Sequence, residues 1–280
     1  MTLVDEGDEV LIPDPGFVAY STVVQMAGGR PVLYSLPAAG DFAFDAAEFR
    51  RCLTERTRAI VCNSPSNPTG RVLTREELAA MADALKGTDA YVVSDEIYRE
   101  LYFTEERPAS ISEYYPRTVV LSGLSESLSM TGWRLGWLCG PPEVVSGALV
   151  LHGYVTTCAS TISQKAALAA WTAEAEVDKQ NTRRIFCRRR DHLLDLIDAE
   201  LGLPFVVPDG EFYVMADISA YGNSMEVAES MLGAGVITVP GVAFGSEGEG
   251  FLRLSFCTDN AALTEGVRRM KQALRAGVLA

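Results

Sequence analysis

Ser122-Gly-Leu-Ser-Glu-Ser-Leu-Ser-Met-Thr-Gly-Trp-Arg-Leu-Gly136 joins two apolar runs through a loop rich in small and hydroxyl side chains, with one carboxylate, Glu126, and one guanidinium, Arg134. The runs on either side, 119–122 and 135–139, read as short strands. Outward toward the N-terminus, short apolar runs alternate with amphipathic stretches. That alternation predicts an α/β domain around a mostly parallel sheet. Further candidate strands are 9–13, 31–36, 59–62 and 91–94. Between them, Thr74-x-x-Glu77 reads as a capping box followed by Leu78, Met81, Ala82 and Leu85 at helical spacing. Asp45-x-x-Glu48 has the same form and opens a shorter helix.

From 162 to 201 the sequence is almost continuously helix-compatible, without Pro or Gly, and predicts a segment that connects two lobes. Beyond it, strand signals at 204–207, 212–216, 236–239 and 252–256 are followed by a closing helix with Leu263, Val267, Met270 and Leu274 on one stripe. The expected organisation is a large domain over 1–180, including the start of the interdomain helix, and a reduced α+β small domain over 181–280.

Composition narrows the function. The chain has 280 residues, 48% of them hydrophobic, enough for a substantial core. No run of about 18 apolar residues is present to span a membrane. The first residues, Met-Thr-Leu-Val-Asp-Glu-Gly-Asp-Glu, lack the basic flank and apolar core of a signal peptide, so the expectation is a cytoplasmic protein without a membrane partner. A net charge of −13 argues against a nucleic-acid partner, because phosphate binding needs a concentrated basic face. Arg183, Arg184, Arg188, Arg189 and Arg190 crowd one predicted helix, where a solvated or interface-lining face is the favoured reading. The six cysteines show no metal-like spacing and there are only two histidines, so no metal site is expected.

Three segments in order carry a resemblance: Asn63-Ser-Pro-Ser-Asn-Pro-Thr-Gly70, Val93-Ser-Asp-Glu-Ile-Tyr98 and the Met130-Thr-Gly-Trp-Arg134 part of the loop. Together they resemble the class I/II, fold-type I, pyridoxal phosphate aminotransferases. The resemblance implies the α/β large domain of that fold with a smaller α+β domain. It also implies a role for each matched residue. Asp95 would pair with the protonated pyridine nitrogen and deepen the electron sink. Asn67 and Tyr98 would hold the ring hydroxyl oxygen, Phe17 would stack on the ring face, and Ser125 and Arg134 would grip the phosphate dianion. Arg253 would bind the substrate α-carboxylate bidentately.

The sequence departs from the family in several places. The family's catalytic lysine stands four residues before the Met of Met-Thr-Gly-Trp-Arg, and that position is Glu126. A carboxylate forms no imine. The four lysines, Lys86, Lys165, Lys179 and Lys271, fall on predicted helices or their ends, away from the matched motifs. A hydroxyl expected three residues before the lysine position is Gly123, and the residue before Phe17, commonly aromatic, is Gly16. Leu3-Val-Asp-Glu-Gly-Asp-Glu-Val10 matches a segment that lies further along in full-length relatives, so an N-terminally truncated homologue is expected, without the glycine turn that holds the phosphate. Glu211 stands where relatives have a small or apolar residue, and either enters the pocket beside the substrate or points to solvent.

A carboxylate among apolar walls has a raised pKa and suits acid/base work, and proton-shuffling reactions such as cyclisation, isomerisation or elimination suit it better than group transfer. The expectation is therefore an aminotransferase-fold enzyme that has lost transamination and works without pyridoxal phosphate on a small, amine- or imine-bearing metabolite, with Glu126 as its catalytic residue. No covalently bound cofactor is expected; non-covalent pyridoxal or pyridoxamine phosphate is left open. Two alternatives stand beside it: an aminotransferase-like enzyme that binds pyridoxal or pyridoxamine phosphate, and a non-catalytic binding or scaffold subunit. A homodimer is expected, since the family builds its cleft at a two-fold interface.

Overall fold

The alternation of apolar runs and amphipathic stretches folds into a six-stranded sheet. In the computed structural model, which describes residues 1–277, its strands are β1 (Glu9–Asp14), β2 (Arg30–Ser35), β3 (Thr57–Asn63), β4 (Tyr91–Asp95), β5 (Thr118–Gly123) and β6 (Gly136–Cys139). Their order is β2-β1-β3-β4-β5-β6. All neighbours pair in parallel except β6, which is antiparallel to β5.

Period-two alternation divides the strand residues between two faces. Leu11, Ile60 and Val92 face α2 (Ala46–Cys52) and α3 (Arg75–Ala84), where Phe49, Leu78 and Met81 are fully buried against them. Val10, Ile12, Ala59 and Val61 face the other way, toward Val24 of α1 (Ala19–Met26). Each fully buried side chain of this size contributes about 1.5–3 kcal/mol. The helix starts form as their caps dictate. Thr74 accepts from the Glu77 amide while the Glu77 carboxylate accepts from the Thr74 amide, and the Asp45 carboxylate accepts from the Ala47 and Glu48 amides.

After β6 come α4 (Pro142–Val155), α5 (Thr161–Ala167) and the long α6 (Ala173–Leu196). The segment 162–201, expected to be almost continuously helix-compatible, is divided at Thr172, whose hydroxyl accepts from the Ala175 amide and starts a new helix there. The second sheet has β7 (Tyr213–Asp217), β8 (Val239–Pro240) and β9 (Phe251–Ser255) in the antiparallel order β7-β9-β8. Its cover is α7 (Ser224–Gly233), α8 (Asn260–Gly277) and the end of α6, which share a core of Leu193, Ile197, Val214, Met231, Leu252, Phe256, Val267 and Met270.

Two strand expectations are corrected. Residues 204–207 form no strand, only an isolated bridge from Phe205 to Ala216, because prolines at 204 and 208 remove the amides a ladder needs. The 236–239 signal shrinks to Val239–Pro240. Residues 278–280 of the expected small domain lie outside the described residues.

The two sheets are tied together. Asp14, at the end of β1 and 3% exposed, accepts from the Ser246 amide at 3.1 Å, the Ser246 hydroxyl at 2.6 Å and the Glu247 amide at 3.1 Å. Tyr98 and Leu101, just after β4, belong to the second core. The arginine run of α6 lines the same junction: Arg183 lies 4.2 Å over the Tyr102 ring, Arg190 lies 4.8 Å over Phe103, and Arg189 donates to the Cys257 carbonyl at 3.0 Å. Among the described residues no helix is long and apolar enough to cross a membrane.

Candidate active site

Asp95 closes β4 at the carboxyl end of the parallel strands, the edge at which ligands gather in open α/β sheets. Its Oδ2 accepts from the Tyr20 hydroxyl at 2.7 Å and its Oδ1 from the Ile97 amide at 3.2 Å. Burial pushes the Asp95 carboxyl up, and these two donors oppose that rise. The Tyr20 hydroxyl is itself held well above its ordinary value, first by burial and then by Asp95. Phe17, 39% exposed, meets the Tyr20 ring edge-on at 5.6 Å. All three open on a cleft of about 440 Å³ walled by Val10, Ala59, Val61, Val93 and Leu121, in which Asp95 is the one charged side chain. Tyr20 was not singled out by sequence, although Phe17-x-x-Tyr20 at helical spacing is the signal that places the two rings together.

The 63–70 loop supplies the next group. The Asn63 carboxamide donates to the Asp95 carbonyl at 3.0 Å and accepts from the Asn67 amide at 2.9 Å, which locks the loop onto the end of β4. The turn closes at Gly70 with φ +69, where a Cβ would stand 2.3 Å from Pro208 Cβ, so only glycine fits. Asn67 Oδ1, so placed, accepts from Arg253 Nη1 at 2.9 Å. Arg253 reaches in from β9 with its guanidinium carbon 3.8 Å from the Tyr213 ring and 4.7 Å from Phe244. Among the described residues no carboxylate forms an ion pair with it. The fork is therefore held in plane by aromatic rings and left open to an anion.

Glu126 sits half-buried in the loop after β5, and burial raises its carboxyl. Glu211 is 0% exposed, and among the described residues neither of its carboxylate oxygens has a hydrogen-bond partner. Solvent is thus not where Glu211 points. Burial pushes its carboxyl well up; Arg253 opposes the rise, while Glu126 and Asp95 add to it. Tyr98 is also raised, by burial first and then by Glu211 and Glu126. Direct contact is seen between Arg253 and Asn67, and Asn67 is anchored through Asn63 to the Asp95 carbonyl. Ser125 is half-buried beside Glu126, whereas Arg134 is exposed at φ +50 and donates to the Thr131 carbonyl at 2.9 Å. Lys179 departs from expectation. It lines a cavity of about 200 Å³ with Ser122, Gly123, Leu124 and Ser127, against the loop that carries Glu126.

The family model for aminotransferase class I and II matches residues 1–270. A probable N-acetyl-LL-diaminopimelate aminotransferase of Bacillus subtilis is 40% identical over 274 residues, covering 96% of this chain and 68% of the relative. An aspartate aminotransferase of Pyrococcus abyssi is 37% identical over 281 residues, covering 96% and 71%. The solved structure of an aromatic aminotransferase from Pyrococcus horikoshii superposes with a TM-score of 0.95 at 36% identity, over 100% of this chain and 76% of that one.

These relatives overturn the expectation of an enzyme that works without pyridoxal phosphate and has lost transamination. The expected loss of the catalytic lysine's function and the absence of a covalently held cofactor fall with it. Glu126 is one side chain, whereas the similarity runs through 1–270. The alternative of an enzyme that binds pyridoxal or pyridoxamine phosphate is the better supported one. By family match, by relatives and by fold, the chain belongs to the class I and II aminotransferases.

Proposed function

We propose that the chain is a pyridoxal phosphate aminotransferase that moves an amino group between a small amino acid and a 2-oxo acid. The observation that carries this reading is Asp95: a partly buried carboxylate, braced by Tyr20, facing an apolar cleft at the end of a central parallel strand. Such a group suits the protonated nitrogen of a pyridine ring. Phe17 and the cleft wall suit the ring face, and Asn67 with Tyr98 suits a ring oxygen. Ser125 and Arg134 would take the phosphate. At the aldehyde carbon the fit is incomplete, because residue 126 offers a carboxylate rather than an amine. The amine would come from a lysine outside this loop; Lys179 borders the loop only from the other face of β5, in a cavity lined by Val120 and Ser122, whereas the Asp95 cleft is lined by Val119 and Leu121.

When bound, the cofactor supplies an aldehyde and an electron-withdrawing ring. The chain's own residues do the rest. Asp95 holds the proton on the ring nitrogen, and Tyr20 fixes the orientation of Asp95. Arg253, held flat by Tyr213 and Phe244, takes the substrate α-carboxylate. Glu126, raised by burial, takes and returns the proton at the substrate α-carbon.

Borohydride trapping in the presence of pyridoxal phosphate, followed by peptide mass mapping, tests the reading. A stoichiometric pyridoxyl adduct on one lysine is expected. Adducts scattered at substoichiometric levels over surface lysines would contradict it. This reading includes a cytoplasmic homodimer.

A further inference from the structure

The cavity that holds Lys179 is separate from the Asp95 cleft. Successive side chains of β5 point to opposite faces, so Val120 and Ser122 line this cavity while Val119 and Leu121 line the cleft, and the sheet stands between them. Its volume is about 200 Å³. A dry cavity of about 150 Å³ already takes a benzene ring.

The charges in its wall leave one cation over. Arg99 spends its guanidinium on the Glu96 carboxylate at 3.0 Å, the Glu113 carboxylate at 3.4 Å and the Pro108 carbonyl at 2.9 Å, and Arg107 pairs with Glu100. Both carboxylates of the lining are thereby matched. Lys179, its side chain only 15% exposed, has no such match: its nearest carboxylate is Glu176 at 3.6 Å, beyond hydrogen-bond reach and itself 53% exposed to water. Beside it, Ser127 is 2% exposed, and its hydroxyl has no hydrogen-bond partner among the described residues. An enclosed ammonium and an enclosed free hydroxyl on one cavity wall call for an acceptor, and in a chain of net charge −13 a lone cation selects a single negative charge.

The other walls set the shape of the ligand. Trp137 of β6 and Trp171, just before α6, lie with ring centroids 5.9 Å apart at 48° and stand 37% and 66% exposed at the edge of the cavity. Ile97 and Leu124 add apolar surface. A bare inorganic anion would leave these walls unused, whereas a flat apolar body fills them.

We propose that this cavity is a second binding site, which takes a small aromatic carboxylate with its charge on Lys179 and Ser127 and its ring against Trp137 and Trp171. A ligand there bridges α6 and the back of the loop that carries Ser125 and Glu126.

The probes are 4-fluorobenzoate and 4-fluorobenzamide, which share a ring and differ in charge, followed by fluorine NMR on the purified full chain. Because Arg253 is also open to a carboxylate, the titrations are repeated in Arg253→Gln. The expected result is a preference for the benzoate of about ten-fold or more, kept in Arg253→Gln and lost when Lys179→Met is added. Trp171→Ala, which should weaken benzoate binding about five-fold or more, replaces Lys179→Met if that chain folds poorly. No binding at about 1 mM, equal affinities for the two probes, loss of the preference in Arg253→Gln alone, or a preference that survives the change at Lys179 or Trp171 would overturn the proposal.

Discussion

At Asp95, burial raises the carboxyl while Tyr20 and the Ile97 amide hold it down, a balance that suits a group meant to meet a cation in a dry cleft. Asp95→Asn keeps the shape and removes the charge, and should lower transamination by about a hundred-fold or more with little change in melting temperature, as steady-state kinetics beside thermal unfolding would check. Glu211 invites a different experiment. Its carboxyl is raised in the folded protein, so the folded state binds the proton more tightly than the unfolded one. Stability is then fullest below the ordinary carboxylate range and declines as pH rises toward the folded value. Glu211→Gln should therefore raise the melting temperature near neutral pH and flatten its decline from acid to neutral; an unchanged pH profile would count against a buried acid at this position.

Elements were legible where the pattern was local. The parallel strands followed from short apolar runs, and α3 from Thr74-x-x-Glu77, because a cap and a stripe are both written in neighbouring residues. Thr74→Ala should cost about 1 kcal/mol in chemical denaturation, since it removes one side of a reciprocal cap. Where tertiary context decides, the pattern misled. The 204–207 run is apolar enough for a strand but is flanked by prolines, and the helical run through 162–201 hides a cap at Thr172. The site divides in the same way. Asp95, Asn67 and Arg253 were singled out by resemblance, whereas Tyr20, which donates to Asp95, was not, because that contact depends on where α1 sits against β4. Which way Glu211 pointed was equally undetermined, since turn residues face water far more often than core. A larger misjudgement came from weighing Glu126 alone, when one substituted side chain says less about the reaction than the assembly that surrounds it.

Over the whole molecule, apolar side chains concentrate on α4, where Leu149 is 67%, Val150 61%, Tyr154 87% and Val155 75% exposed. Exposure on this scale along one helix is typical of an interface. Light scattering at micromolar protein should give twice the chain mass, and Tyr154→Glu should shift it toward the monomer. The two-sheet architecture, with Asp14 fastening the second lobe to β1, leaves the site at the junction between lobes, where Arg253 from one meets Asn67 from the other. That junction is what the aminotransferase reading requires. Its most direct test is a single-turnover half-reaction, in which protein loaded with pyridoxal phosphate is mixed with an amino acid in the absence of any 2-oxo acid. The account predicts one equivalent of 2-oxo acid per site with matching conversion of the cofactor to pyridoxamine phosphate; bound cofactor that stays unchanged, with no 2-oxo acid formed from acidic, aromatic or cationic amino acids, would contradict it.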